Sequence, residues 1–226
     1  MSSGLVLSKN IISVFEKNGV VLLKNMIDKN WQGILIDAIE DDIKKPAPFF
    51  HAYKTEGGKG YFHGNMRLWE HYQGLKDYCT QSSLPYLAAQ LLNSKKINLF
   101  YDQLFVKEPE TNNRIRWHND HPYWPIRGWP IISFWTSLDP ISKDNGPMEF
   151  IRKSHKWGKW YQPEHFAPGP NKAYEKNPEF EKIPEIESNR DKYDIISYDM
   201  NPGDLLAFHA LMVHGSAGNF SKVSRR

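Results

Sequence analysis

The sequence predicts a mainly β protein with flanking helices, in which the helices pack outside an antiparallel sheet or barrel. Three observations support this fold class. Helical periodicity dominates residues 1–95, whereas short strand-like runs separated by Pro, Gly, Asn and Asp follow from Lys96 onward. Aromatic residues, which favour strands, make up 14% of the 226 residues. A chain of this length is enough for one domain with a sizeable core, or for two small ones.

The sequence marks the boundaries of the first helices. Ser8 can accept a hydrogen bond as the N-cap of the first helix, and Gly19 can end it. The run GVVLLKN predicts a strand, and Asp28 can cap a second helix. The glycine-rich residues 45–65 predict a loop. Two further helices are predicted in MRLWEHYQGLKDYC and LPYLAAQLLN.

Six strand-like runs make up the second part. They are INLFYDQLFVKE, RIRWHND, PIISFWTSLD, PMEFI, YDIISYD and DLLAFHALMVH. Residues 155–193 form a long insertion rich in Trp, Pro, Lys and Glu, which in a compact domain is typical of a functional lid or of disorder. Its rings lie beside Lys156, Lys159 and Lys172, a composition that suits a cover over an anionic substrate.

Composition and charge exclude several function classes. The net charge of +3, with no long Lys/Arg run, does not favour a nucleic-acid partner. The single cysteine, Cys79, cannot form an internal disulfide and predicts a cytoplasmic location. The N-terminus lacks the apolar run of a signal peptide. Nothing approaches the roughly 20 apolar residues of a membrane span.

The run RIRWHND carries the first chemical signal. In a strand, residues i and i+2 point to the same side, so His118 and Asp120 are predicted to share one face. One imidazole and one carboxylate are two-thirds of a facial triad, the ligand set that holds non-haem Fe(II) and leaves positions open. On its own the pair fits a polar strand end better than a metal site, and the spacing admits other divalent metals.

A second signal stands near the C-terminus, in GDLLAFHALMVHGSAGNFSKVSRR. An apolar strand there ends at His214, and Arg225 follows eleven residues later. An arginine on the next strand could make a two-point salt bridge with a ligand carboxylate. Ser216 offers a hydroxyl close by.

Taken together, these signals resemble the phytanoyl-CoA dioxygenase family of iron(II)- and 2-oxoglutarate-dependent oxygenases. YDQLFVKEP, the Trp of FWTSLD, DNGPMEFIRKSHK and GDLLAFHALMVHGS each look like signatures of that family, in its order. They cover residues 96–156 and 202–225. One departure is Arg152-Lys153, where the family often has Pro-Gly.

The resemblance implies a single domain over residues 1–226, with a double-stranded β-helix, or cupin-like jelly roll, as its core at 96–226. It implies Fe(II), 2-oxoglutarate and O2 as cofactor and co-substrates, and hydroxylation of a small organic or acyl substrate with release of succinate and CO2. It also implies that a strand carrying the arginine continues past Arg226. The implied metal ligands are His118, Asp120 and His214; the implied 2-oxoglutarate contacts are Arg225, Ser216, Gln103, Asn119 and Trp135.

Several residues are better explained without an active-site role. His209 lies five residues before His214 and is predicted to face the other way in the same strand. His121 is predicted to be a neighbour rather than a ligand. Lys107 and Arg67 could meet an acidic substrate, but solvated charges are the simpler interpretation.

Three other functions were weighed against the oxygenase. HGSAG resembles a serine-hydrolase elbow around Ser216, but the first glycine and a downstream histidine are missing. A halogenase lacks the carboxylate ligand that Asp120 supplies. A non-catalytic metal-binding jelly roll fits the ligand spacing, although Arg225 and Ser216 would then have no role.

Overall fold

The computed structural model describes residues 5–54, 57–166 and 174–226. The α-helices are α1 Lys9–Asn18, α2 Lys29–Lys44, α3 Gln73–Gln81 and α4 Leu84–Leu91. The strands are β1 Val20–Leu23, β2 His51–Tyr53, β3 Phe62–Met66, β4 Gln103–Lys107, β5 Ile115–His118, β6 Ile132–Thr136, β7 Met148–Ile151, β8 Ile195–Ser197, β9 Leu205–His209 and β10 His214–Ser216. Short 3-10 helices span Leu68–Glu70, His121–Tyr123, Ser154–Trp157 and Glu187–Lys192.

The helix boundaries predicted from capping residues are confirmed. The Ser8 side chain accepts a hydrogen bond from the backbone N–H of Ile11, and Gly19 ends α1 in the left-handed conformation at φ 82°. The Asp28 carboxylate accepts from the backbone N–H of Trp31 at 3.0 Å. None of the helices in the described ranges is long and apolar enough to cross a membrane.

Two antiparallel sheets form the centre of the molecule. Their strand orders are β1-β9-β6 and β5-β10-β7-β8, and a further sheet has the order β2-β3-β4. Side chains from both central sheets fill the space between them; the rings of Phe150 and Phe208, for example, lie 5.2 Å apart. The sheets therefore share one core, as in a β-sandwich.

The helices cover the other face of the first central sheet. Along β9, Leu206 and Phe208 point into the inter-sheet core, whereas Leu205 and Ala207 pack against α1 and α4. This alternation is the two-residue period of a strand buried on both faces. The prediction of a mainly β protein with flanking helices is confirmed.

Three sequence predictions about strands are wrong. Residues 45–65 contain β2 and the start of β3 rather than a continuous loop. The predicted strand over 97–108 is reduced to β4 at its end. The run DLLAFHALMVH is not one strand, because the chain leaves β9 at His209, turns through residues 210–213 and enters β10 in the other sheet.

Candidate metal centre and co-substrate site

Two histidines face each other where two strands meet. His118 is the last residue of β5 and His214 is the first of β10, and they are directly paired across the strands. Their ring centroids lie 4.2 Å apart. The carboxylate of Asp120 closes the group, with Oδ1 at 3.3 Å from Nε2 of His118 and 3.6 Å from Nε2 of His214. All three side chains offer ligand atoms within 4.8 Å of one another.

Both rings use Nδ1 in a hydrogen bond to the backbone and turn Nε2 towards Asp120. Nδ1 of His118 contacts the carbonyl oxygen of Arg116 at 2.7 Å, and Nδ1 of His214 contacts that of Met212 at 2.9 Å. A carbonyl can only accept, so each Nδ1 carries a proton, and in a neutral ring Nε2 is then the nitrogen that can bind a metal. Backbone carbonyls orient metal-binding imidazoles in this way in many proteins.

The charge state of His214 also suits a metal. Burial, followed by the nearby charge of His118, lowers the pKa of His214 to about 4. The ring is therefore neutral near pH 7, as a ligand must be. Two neutral imidazoles and one carboxylate are the facial donor set of non-haem iron sites, so these residues fit Fe(II).

Asp120 reaches the group by a different route from the predicted one. The strand ends at His118, and Asp120 adopts a helical backbone (φ −70°, ψ −39°) at the start of the His121–Tyr123 turn. The hydroxyl of Ser133 donates to its other oxygen at 3.4 Å. The sequence therefore predicts the correct pair, but the turn, rather than strand alternation, aims the carboxylate.

Arg225 supplies a buried positive charge. Its relative exposure is 1%, and in the described part of the chain its Nε and Nη2 have no hydrogen-bond partner. The guanidinium lies 5.3 Å from the ring centroid of Trp135. Burial lowers the pKa of Arg225 to about 10, which still leaves it charged. Unpartnered guanidinium donors in a dry site fit a carboxylate ligand such as that of 2-oxoglutarate.

Comparison with known proteins identifies the family. The family model described as "Phytanoyl-CoA dioxygenase (PhyH)" matches residues 15–226. The chain belongs to the phytanoyl-CoA dioxygenase family. The protein is therefore an Fe(II)- and 2-oxoglutarate-dependent oxygenase, and its metal and co-substrate are those of this family.

Individual relatives of the family are distant in sequence. A probable phytanoyl-CoA dioxygenase of Caenorhabditis elegans is 24% identical over 99% of this chain and 74% of its own length. The peroxisomal phytanoyl-CoA dioxygenase of Homo sapiens is 28% identical over 66% of this chain. That match spans 43% of the human protein.

Solved structures confirm the double-stranded β-helix. The non-heme alpha-ketoglutarate-dependent carbocyclase SnoK from nogalamycin biosynthesis superposes with a TM-score of 0.77 at 17% identity, covering 97% of this chain and 81% of SnoK. EctD from S. alaskensis, solved with 2-oxoglutarate and 5-hydroxyectoine, gives a TM-score of 0.72 at 17% identity, covering all of this chain and 75% of EctD. At this identity the likeness concerns the fold.

The other residues that the resemblance implies as 2-oxoglutarate contacts differ in burial and in their contacts. Ser216 is buried and lies two residues after His214. Gln103 begins β4 and is exposed. Asn119 is buried, and its amide contacts the carbonyl of Lys159 at 3.0 Å and the N–H of Tyr161 at 3.4 Å. The structure thus ties Asn119 to the 155–193 insertion, and its contact with 2-oxoglutarate stays a prediction, as does that of Gln103.

One prediction about a charged residue is wrong. Lys107 is not a solvated charge; its relative exposure is 0%, and its Nζ donates to Oγ of Ser216 at 2.7 Å. The sequence signal for this burial is that Lys107 ends the apolar run LFVK. A side chain at the end of a strand that is buried on both sides has no route to solvent. Arg67, by contrast, is exposed and pairs with Glu70.

His209 and His121 lie outside the ligand group, as predicted, although the reason for His209 differs. It ends β9 in one sheet while His214 begins β10 in the other, so strand alternation does not relate them. Its Nε2 contacts the carbonyl of Trp129 at 2.8 Å, and its Nδ1 accepts from the N–H of Leu211 at 3.0 Å. His121 Nε2 contacts the carbonyl of Ile126 at 3.1 Å.

Proposed function

We propose that the protein hydroxylates a small organic or acyl substrate, with release of succinate and CO2, and that His118, Asp120 and His214 are its iron ligands. The observation that carries the proposal is the convergence of two imidazole Nε2 atoms and one carboxylate oxygen. When bound, iron(II) supplies oxygen activation for attack on an unreactive C–H bond. The three side chains would each give the ion one ligand atom, and its remaining positions would be open to the co-substrate and oxygen.

In this proposal Arg225 and Ser216 hold the distal carboxylate of 2-oxoglutarate. The unpartnered Nε and Nη2 of Arg225 can make two parallel charge-assisted hydrogen bonds. The backbone of Arg225 is fixed for this task, because it exchanges two hydrogen bonds of 2.9 Å with Lys107. A pre-positioned guanidinium loses little further entropy on binding.

The described part of the insertion, residues 155–166 and 174–193, is proposed to cover the substrate side of the iron. The ring of Phe166 lies edge-on to His118 at 4.7 Å and stacks on Tyr123 at 5.6 Å. These rings line a small cavity beside His118, which favours a substrate with an apolar or aromatic body. A screen of candidate substrates for coupled succinate release tests this.

An anionic substrate and a cytoplasmic location stay proposals. Among the cations near the insertion, Lys159 pairs with Glu181 and Arg127 with Glu179, which reduces the positive charge offered to a substrate. Lys172, named above with the insertion, lies outside the described residues. The single Cys79 is consistent with a reducing compartment, and cell fractionation tests that location.

The decisive experiment titrates 2-oxoglutarate into the anaerobic Fe(II) protein and follows the weak visible charge-transfer band of the chelate. Removing one partner of a buried charge pair typically costs about 2–5 kcal/mol, so Arg225→Ala is expected to weaken binding by about tenfold to a thousandfold. Iron should stay bound, and Arg225→Lys should rescue only partly because an ammonium cannot make the paired contact.

Arg67→Ala is the matched control, since that arginine is exposed and pairs with Glu70 at the surface. Its 2-oxoglutarate affinity should equal that of the wild type. A wild-type protein that binds iron but shows neither a band nor affinity for 2-oxoglutarate would contradict the proposal and favour a metal-binding module.

A further inference from the structure

Lys107 and Arg225 form a cross-strand pair of like charges. The N–H of each donates to the carbonyl of the other at 2.9 Å, so they are a hydrogen-bonded antiparallel pair. Side chains of such a pair lie on the same face of the sheet, about 5 Å apart at Cβ. Like charges placed directly opposite each other are destabilising even at a surface.

Burial makes this arrangement more costly. Lys107 is 0% exposed and Arg225 is 1% exposed. Among the described residues, no carboxylate forms an ion pair with either side chain, although the charge of Asp139 acts on Arg225 from a greater distance. Burial, followed by the charge of Arg225, lowers the pKa of Lys107 well below its usual value. Two unpaired buried cations side by side call for an anion.

The hydrogen bonds of Lys107 leave donors for that anion. Its Nζ contacts Oγ of Ser216 at 2.7 Å and the carbonyl oxygen of Ala217. An ammonium has three donors, so one N–H remains beyond these two contacts. Together with Nε and Nη2 of Arg225, the pair offers three donors to a single carboxylate.

We propose that Lys107 is a second cationic contact of the distal carboxylate of 2-oxoglutarate, positioned by Ser216, and that it sets the preference for a dicarboxylate over a monocarboxylate 2-oxo acid. This inference rests on the proposed function of the same site. Arg225 supplies the planar two-point contact, and Lys107 supplies a point charge from the neighbouring strand. Ser216 then acts by fixing the Lys107 ammonium as well as by its own hydroxyl.

The test compares two ligands that share the iron-chelating end. 2-Oxoglutarate carries the distal carboxylate, whereas 2-oxopentanoate ends in a methyl group. Both are titrated by calorimetry into the anaerobic Fe(II) protein. Lys107→Met should lower the affinity for 2-oxoglutarate by about tenfold to a hundredfold. The affinity for 2-oxopentanoate should change by less than about threefold, because this ligand has no distal carboxylate for the lysine to contact.

Two further variants keep the result interpretable. Lys107→Gln removes the charge but retains an amide donor for Ser216 and the carbonyl of Ala217, so it serves if Lys107→Met does not fold; the same selective loss is expected. Lys222→Met replaces an exposed lysine of the C-terminal segment, with 83% of its side chain accessible, and should leave both affinities unchanged.

The outcomes of these titrations distinguish a failure of the Lys107 inference from a failure of the proposed function. Equal weakening of both ligands would show a structural role for Lys107 and overturn the inference, as would unchanged affinity for 2-oxoglutarate. Binding of neither ligand by the wild-type iron protein would instead overturn the proposed function. Loss confined to 2-oxoglutarate supports both.

Discussion

Two groups of buried histidines differ in what their nitrogens contact. His118 and His214 turn Nδ1 to backbone carbonyls and point both Nε2 atoms at Asp120. His155 and His209, whose rings are 5.5 Å apart, lie in a second group beside Trp129. There, His209 uses both nitrogens in hydrogen bonds, and His155 Nε2 contacts the carbonyl of Glu16 at 3.3 Å.

Burial and basicity do not distinguish the groups. The pKa values of His209 and His214 are both lowered to about 4, chiefly by burial. The difference is the carboxylate that both Nε2 atoms of the first group face; Nδ1 of His155 also lacks a hydrogen-bond partner among the described residues, but no carboxylate there pairs with it. Within the described ranges, no second set of three ligating side chains comes together. A buried neutral histidine is therefore a candidate ligand only when its hydrogen bonds leave a nitrogen aimed at another donor.

The largest expected effect is on metal binding. His118→Ala and His214→Ala should each lower Fe(II) affinity by at least about a hundredfold, because loss of a direct ligand exceeds the 10–100-fold typical of outer partners. His209→Ala should keep one iron per chain. Anaerobic Fe(II) titration measures this, and an iron-free His209→Ala protein beside an iron-bound His214→Ala protein would reverse the ligand assignment.

Asp120→Asn sharpens the comparison by converting the first group into one like the second. The new amide can donate to the Nε2 lone pairs and occupy them. Iron affinity should fall by at least about tenfold, while the free energy of unfolding of the iron-free protein should drop by no more than about 1 kcal/mol. Urea unfolding alongside the iron titration checks both. Full iron binding by Asp120→Asn would mean that the carboxylate is not a ligand.

The second group should respond to pH rather than to metal. The folded-state pKa of His209 lies below the unfolded value of 6.5, so its contribution to stability is complete above about pH 6.5 and is lost as the pH falls towards 4. His209→Gln should reduce the fall in unfolding free energy between pH 7 and pH 5 by about 2 kcal/mol relative to wild type. Parallel pH dependence in the two proteins would argue against this.

The smallest effect is expected for Trp129→Ala. The centroid of this ring lies 4.4 Å from that of His209, with the two planes tilted by 46°, but Trp129 is 55% exposed, so its removal costs little burial. The free energy of unfolding should fall by about 0.5–1.5 kcal/mol, and iron stoichiometry should not change. A large loss of iron would show that the two histidine groups are coupled.

The sequence predicted the fold class, the helix caps and the three donors, because local patterns encode them. Ser8, Gly19 and Asp28 act within their own turns, and the family signatures surround His118 and His214. The split of DLLAFHALMVH could not be predicted, since its apolar pattern continues through residues 210–213, all of which are buried. What ends β9 is tertiary: the Ala210 N–H donates to the carbonyl of Ile131 and the Val213 N–H to Oγ of Ser154.

The charged residues were harder to predict for a related reason. Arg225 is predicted through the family spacing, whereas the local mark of the burial of Lys107 is only its place at the end of the apolar run LFVK. Its partner lies 118 positions away in the chain, across the bridge between β4 and the C-terminal segment. Pairings of that range depend on the closed fold rather than on neighbouring residues.

The buried turn at residues 210–213 and the 155–193 insertion differ in how much sequence change each can tolerate. The turn joins the two sheets and holds His214 at a set distance from β9, so adding or deleting a residue there would displace this proposed iron ligand. The 155–193 insertion meets the centre through side chains such as Phe166 and Asn119, outside the strand pairings of His118 and His214. It can change in length and composition while the ligands stay in register, so new substrates can be acquired without rebuilding the oxidative chemistry.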